Sequence, residues 1–123
     1  MSGAVREIAG ARVFVCDDAG PCLAEYRALT DLIGELFSAE AKVVAIPLAR
    51  LGPDFLRLSS GVAGEVLQKL VNYQRMAVVV GDVAEAAEKS APLRDFIRES
   101  NRGRTVWFVT DLAELEGRLG ANP

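Results

Sequence analysis

Four short stretches of the chain are dominated by apolar and β-branched residues: Arg12 to Cys16, Val43 to Leu48, Met76 to Val80 and Thr105 to Val109. Runs of this length and composition predict strands. Their apolar residues are nearly continuous rather than alternating with polar ones. Both faces of each strand should therefore be buried, as in a mostly parallel sheet flanked by helices. Val5 to Ile8 precedes Ala9-Gly10 and is expected to pair with the next segment as an edge hairpin.

Between the strands the apolar spacing becomes helical. Leu29, Ile33, Leu36 and Phe37 mark a first helix from about Leu23 to Ser38, and Val62, Val66, Leu67, Leu70 and Tyr73 mark a second from about Ser60 to Tyr73. A third is expected from about Pro92 to Asn101, with proline in its first turn and Gly103 beyond its end. A fourth follows Asp111, which stands three residues before Glu114 in capping-box spacing. The order β, β, α, β, α, β, α, β, α gives a single α/β domain over residues 1–123. Its sheet should be mixed but mostly parallel, of four to five strands, with about four helices. Right-handed crossovers are expected to place helices on both faces.

Composition narrows the chemistry. A chain of 123 residues fits one domain, and 50% hydrophobic with 25% charged residues is the balance of a protein with a packed core. Fourteen basic against seventeen acidic side chains leave a net charge of −3, which argues against a nucleic-acid grip. There is no histidine, so Ser-His and Cys-His catalysis and histidine metal ligation are excluded together. No apolar run approaches the roughly 20 residues of a membrane span, and the first residues lack a secretory pattern. A cytoplasmic location is expected, with Cys16 and Cys22 both reduced and no cofactor.

Two groups of residues could carry function. Ser59, Ser60, Gly61, Val62 and Gly64 fall at the expected start of the second helix, where backbone N–H groups lack intrahelical partners. A serine there can cap the helix, and a phosphate on it would meet free amides and the positive end of the helix dipole. Gly61 and Gly64 leave the first turn bare, so another backbone or helix could approach, or the glycines could serve tight packing within the domain. The second group is acidic: Asp17, Asp18 and Asp82, with Asp111 further on, all follow strands. Converging carboxylates could hold a divalent cation, although aspartate after a strand is also ordinary turn and cap chemistry. Arg94, Arg98 and Arg102 align along the third helix but are interleaved with Asp95 and Glu99, which predicts a solvated face of local ion pairs. Trp107 is expected in the core.

The segments LSSGVAGEVLQKLVNYQRMAVVVGD (Leu58 to Asp82) and LRDFIRESNRGRTVWFV (Leu93 to Val109) resemble the bacterial domain-of-unknown-function 4180 family. That resemblance implies kinship and carries no activity or catalytic residues. More distantly, the element order is similar to that of STAS domains, the anti-sigma-factor-antagonist fold, in which a serine turn opens the second helix. Ser59-Ser60-Gly61-Val62 occupies that place here, with Leu58 where an aspartate usually stands. This similarity implies Ser60 or Ser59 as a phosphorylatable position and a regulatory module that docks another protein. The alternatives are a metal-binding, receiver-like phosphoacceptor using Asp17, Asp18 and Asp82, suggested by VFVCDDAG, and a homo-oligomer that binds a small anion.

Overall fold

The computed structural model describes residues 3–121. They form five strands, β1 (Gly3–Ile8), β2 (Ala11–Cys16), β3 (Val43–Pro47), β4 (Met76–Val80) and β5 (Val106–Val109). Five α-helices accompany them: α1 (Tyr26–Ser38), α2 (Val62–Asn72), α3 (Ala84–Lys89), α4 (Ala91–Arg102) and α5 (Leu112–Ala121). The strands lie in one sheet in chain order, with β1 antiparallel to β2 and every later neighbour parallel. The hairpin register pairs Ile8 with Ala11, and Ala9 and Gly10 both turn through positive φ, at 51° and 82°. Two successive residues of that kind make the tight turn whose twist suits a hairpin.

The sheet buries two cores. Phe14, Val44, Ile46, Val79 and Phe108 face α1 and α2, with Phe96 and Ile97 of α4 packed against the same cluster. Val13, Val43, Val78, Trp107 and Val109 point the other way and meet Leu115 of α5. Helices thus cover both faces, but the crossovers do not share them out. From β2 to β5 each strand is added on the same side of the last, and a right-handed connection repeated in one direction stays on one face. All three crossovers therefore stack on the α1 face, and α5 alone covers the opposite one.

Trp107 is buried, as its strand position predicts. The first helix begins at Tyr26 rather than near Leu23, because Leu23 is buried in the preceding loop and its N–H donates to the Arg50 carbonyl at 2.7 Å. The extra helix α3 is alanine-rich and has no buried residue, so it leaves no apolar stripe in the sequence. The cap expected at Asp111 and Glu114 forms at the start of α5. Asp111 Oδ1 accepts from the Glu114 amide and Glu114 Oε1 accepts from the Thr110 amide. The ion pairs Arg98–Asp95 and Arg102–Glu99 sit on the exposed side of α4.

The single helix on the second face is clamped by Asn101. Its side-chain oxygen accepts from the Phe108 amide at 2.7 Å and from Arg118 Nη1 at 3.2 Å, while Arg118 Nη2 donates to the Asn101 carbonyl at 2.7 Å. The Arg118 guanidinium lies 4.1 Å from the centre of the Trp107 ring, whose Nε1 donates to the Gly103 carbonyl. One residue thus ties the end of α4, edge strand β5 and α5 together. Asn101→Ala should cost about 1–3 kcal/mol in denaturant unfolding, because the Phe108 amide and the arginine lose an acceptor together. Arg98→Ala, which removes only an exposed pair, should cost less than about 0.5 kcal/mol.

Candidate functional site

The chain from β3 to α2 runs through a 3-10 turn at Leu48–Leu51, an anchor at buried Phe55, and a second 3-10 turn at Leu58–Ser60. The two serines have different positions. Ser60 Oγ donates to the Asp54 carbonyl at 2.8 Å and accepts from the Val62 amide at 3.2 Å, so this half-buried hydroxyl closes the turn and caps α2. Ser59 is exposed. Gly61 follows in the left-handed region at φ 80°, where a side chain would be strained, and it accepts the first helical bond from Glu65 at 3.0 Å.

Gly64 is different, because it lies inside α2 where the backbone conformation makes no demand for glycine. A β-carbon built there would meet no atom within 4 Å, and the same holds at Gly61. Tight packing inside the domain therefore accounts for neither glycine. Val62 is half-buried against the α1-side core and Ala63 is buried, so the helix start is fixed from below and bare above.

The acidic group is dispersed. Asp17 and Asp18 follow β2, Asp82 accepts from the Ala84 amide at 2.9 Å at the start of α3, and Asp111 caps α5. Among the described residues no three His, Cys, Asp or Glu side chains are grouped so as to hold a metal. The trio Asp17, Asp18 and Asp82 does not form such a group: Asp17 and Asp18 share the loop after β2, while the Asp82 carboxylate is used at the start of α3. What does gather at the carboxyl ends of the strands is a small crevice of about 160 Å³ bordered by Cys16, Asp18, Pro47, Gly81, Thr110 and Leu112. It sits where the loop after β5 turns to the opposite face from the loop after β4, the reversal at which α/β sheets open a cleft.

The loop beside this crevice is held by Arg50, which sequence reading passes over. Arg50 is 2% exposed; its Nε donates to the Pro21 carbonyl at 3.0 Å and its Nη1 to the Asp17 carbonyl at 2.8 Å. Gly20 lies flat against the guanidinium, where a β-carbon would come within 2.9 Å of Cζ. The available signal was an arginine set among Leu48, Ala49 and Leu51, since a cation in an apolar stretch must find internal acceptors. Arg50 also draws the Cys16 thiol pKa downward, but burial, the larger effect, with Glu35 and Asp17, pushes it up from 9.0 to about 12. The thiol is protonated at neutral pH and is no nucleophile.

The fold and these sites define a small single-sheet α/β domain with a bare helix start above one face and a narrow cleft at the strand ends. The chain belongs to the family described as Domain of unknown function (DUF4180), whose model matches residues 8–119. Searches of curated proteins and of solved structures gave no match.

Both cysteines are free, Cys16 buried and Cys22 exposed. A thiol reagent should label Cys22 in the native protein and reach Cys16 only on unfolding. The unfolded Cys16 ionises from about pH 9 and the folded one near 12, so the folded state holds the extra proton between those values. Stability should be undiminished by this group below pH 9 and fall as pH rises through that window, with a shallower fall in Cys16→Ala.

Proposed function

We propose that this domain is a cytoplasmic regulatory module that binds another protein through the start of α2, with Ser59, Gly61 and Gly64 in the contact surface and Ser60 and Val62 supporting it. The observation that carries the reading is Gly64. A glycine inside a helix costs roughly 1 kcal/mol against alanine. Here no neighbour within 4 Å gains from the missing side chain. Gly34 and Gly117 are equally unhindered inside their helices, and Gly64 differs from them in standing beside Gly61 and the exposed Ser59 at a helix start, where a close approach from outside the domain would use all three. The charge of −3 favours a protein partner over nucleic acid, and no cofactor is required. Self-association through the same surface is the homomeric version of this reading.

Serine phosphorylation is the regulatory step we attach to it, and the two hydroxyls would respond differently. Ser59 is exposed, so a phosphate there adds charge beside the helix start and the turn stays intact. On Ser60 it would replace the hydroxyl that donates to Asp54 and would loosen the segment leading into α2. The similarity of this turn to the STAS serine turn agrees with the proposal.

Two measurements test it. Gly64→Arg should fold as the wild type does, yet lose the proteins that wild-type bait cross-links in extracts of its own host; an unchanged set would contradict the proposal. Mass spectrometry of protein from that host should find phosphate on Ser59 in preference to Ser60. Absence from both under every growth condition would remove the switch and leave the binding surface.

A further inference from the structure

At the opposite end of the sheet from the α2 start, the chain collects positive charge. Each of the parallel strands opens behind or on a basic residue: Arg12 before Val13, Lys42 before Val43, Arg75 before Met76 and Arg104 before Thr105-Val106. Parallel strands have their amino ends on one side, so residues far apart in sequence arrive together. Arg12 stands opposite Glu7 in the hairpin register. The other three line a cavity of about 380 Å³ together with Gln74, Thr105, Val43, Val71 and Met76, and no acidic residue lines it. Among the described residues neither Lys42 nor Arg75 enters an ion pair.

Arg75 supplies an independent sign that something is missing. It is 5% exposed, and its Nε is the one buried side-chain nitrogen or oxygen among the described residues without a hydrogen-bond partner. Its Nη1 makes a long bond of 3.4 Å to the Tyr73 carbonyl, and its guanidinium carbon stands 4.0 Å from the centre of the Phe37 ring. Support of the α2 carboxyl end explains the first contact. It does not explain a desolvated cation with an idle donor beside a cavity that also holds Lys42 and Arg104. An unbalanced buried charge is costly unless an anion shares its site.

We infer that this amino-end cavity binds a small phosphate-bearing anion. The volume suits a small molecule rather than a macromolecule. Lys42, Gln74 and Thr105 bring an ammonium, an amide and a hydroxyl to the cavity from the three segments that lead into β3, β4 and β5, beside the Arg75 guanidinium, which matches the several faces of a tetrahedral phosphate. A flat carboxylate is best held by one free arginine fork, and the fork of Arg75 is already turned to Tyr73 and Phe37. Val43, Val71 and Met76 provide an apolar wall for the remainder of the ligand. The inference is independent of the α2 surface, which lies at the other end of the helix.

Isothermal titration of the full chain with pyrophosphate, at constant ionic strength, tests it. The expected result is saturable binding of one pyrophosphate per chain, weakened about tenfold or more in Lys42→Glu and in Gln74→Glu. Both positions are exposed, so both variants should fold. Lys89→Glu makes the same charge change as Lys42→Glu on distant α3 and should leave affinity unchanged. No saturable heat, equal weakening by the lysine reversals at 42 and 89, or tighter binding of citrate than of pyrophosphate would each overturn the assignment.

Discussion

The architecture follows from the direction in which parallel strands are added. Right-handed crossovers that always step the same way cannot change face, so α1, α2 and α4 are committed to one side of the sheet. The other side depends on α5, a helix of 10 residues with one fully buried side chain, Leu115. That is little apolar area with which to hold a terminal helix. The Asn101 and Arg118 clamp on Trp107 gives that helix its polar fixation. The reversal of the β5 loop that sends α5 to its face also opens the cleft at the strand ends.

The same geometry sorts charge. Strand exits carry Asp17, Asp18, Asp82 and Asp111, while strand entries carry Lys42, Arg75 and Arg104. Asp82 and Asp111 are used locally, as acceptors at helix starts, and among the described residues the carboxylates do not assemble into a cation site. The entry cations, in contrast, share a cavity. An acidic exit end and a basic entry end make the two ends of this small domain chemically different surfaces despite a net charge of only −3.

Much of the fold was legible in the sequence because burial on two faces leaves an unmistakable apolar run, as Met76 to Val80 shows by matching its strand residue for residue. The hairpin was legible from Ala9-Gly10. What could not be read was anything set by contacts between distant segments. Leu23 looks helical and is a loop anchor; Asn101 looks like a helix stop and is a clamp; Arg50 gives no periodic signal at all. The serine pair was correctly located, but which hydroxyl is spent on the cap depends on the Asp54 carbonyl, six residues away through a turn the pattern does not define. The basic residue at each strand entry was visible in the sequence, and it acquires meaning only once the strands are known to be parallel neighbours.

The functional reading treats the bare face of α2 as a site kept open for something outside the domain, at a cost in the domain's own stability. The most direct test is the unfolding free energy of Gly64→Ala. The account predicts a gain of about 0.5–1 kcal/mol, the helix-propensity difference undiluted by any clash. A loss of stability would show that the glycine already serves the interior and would contradict the account.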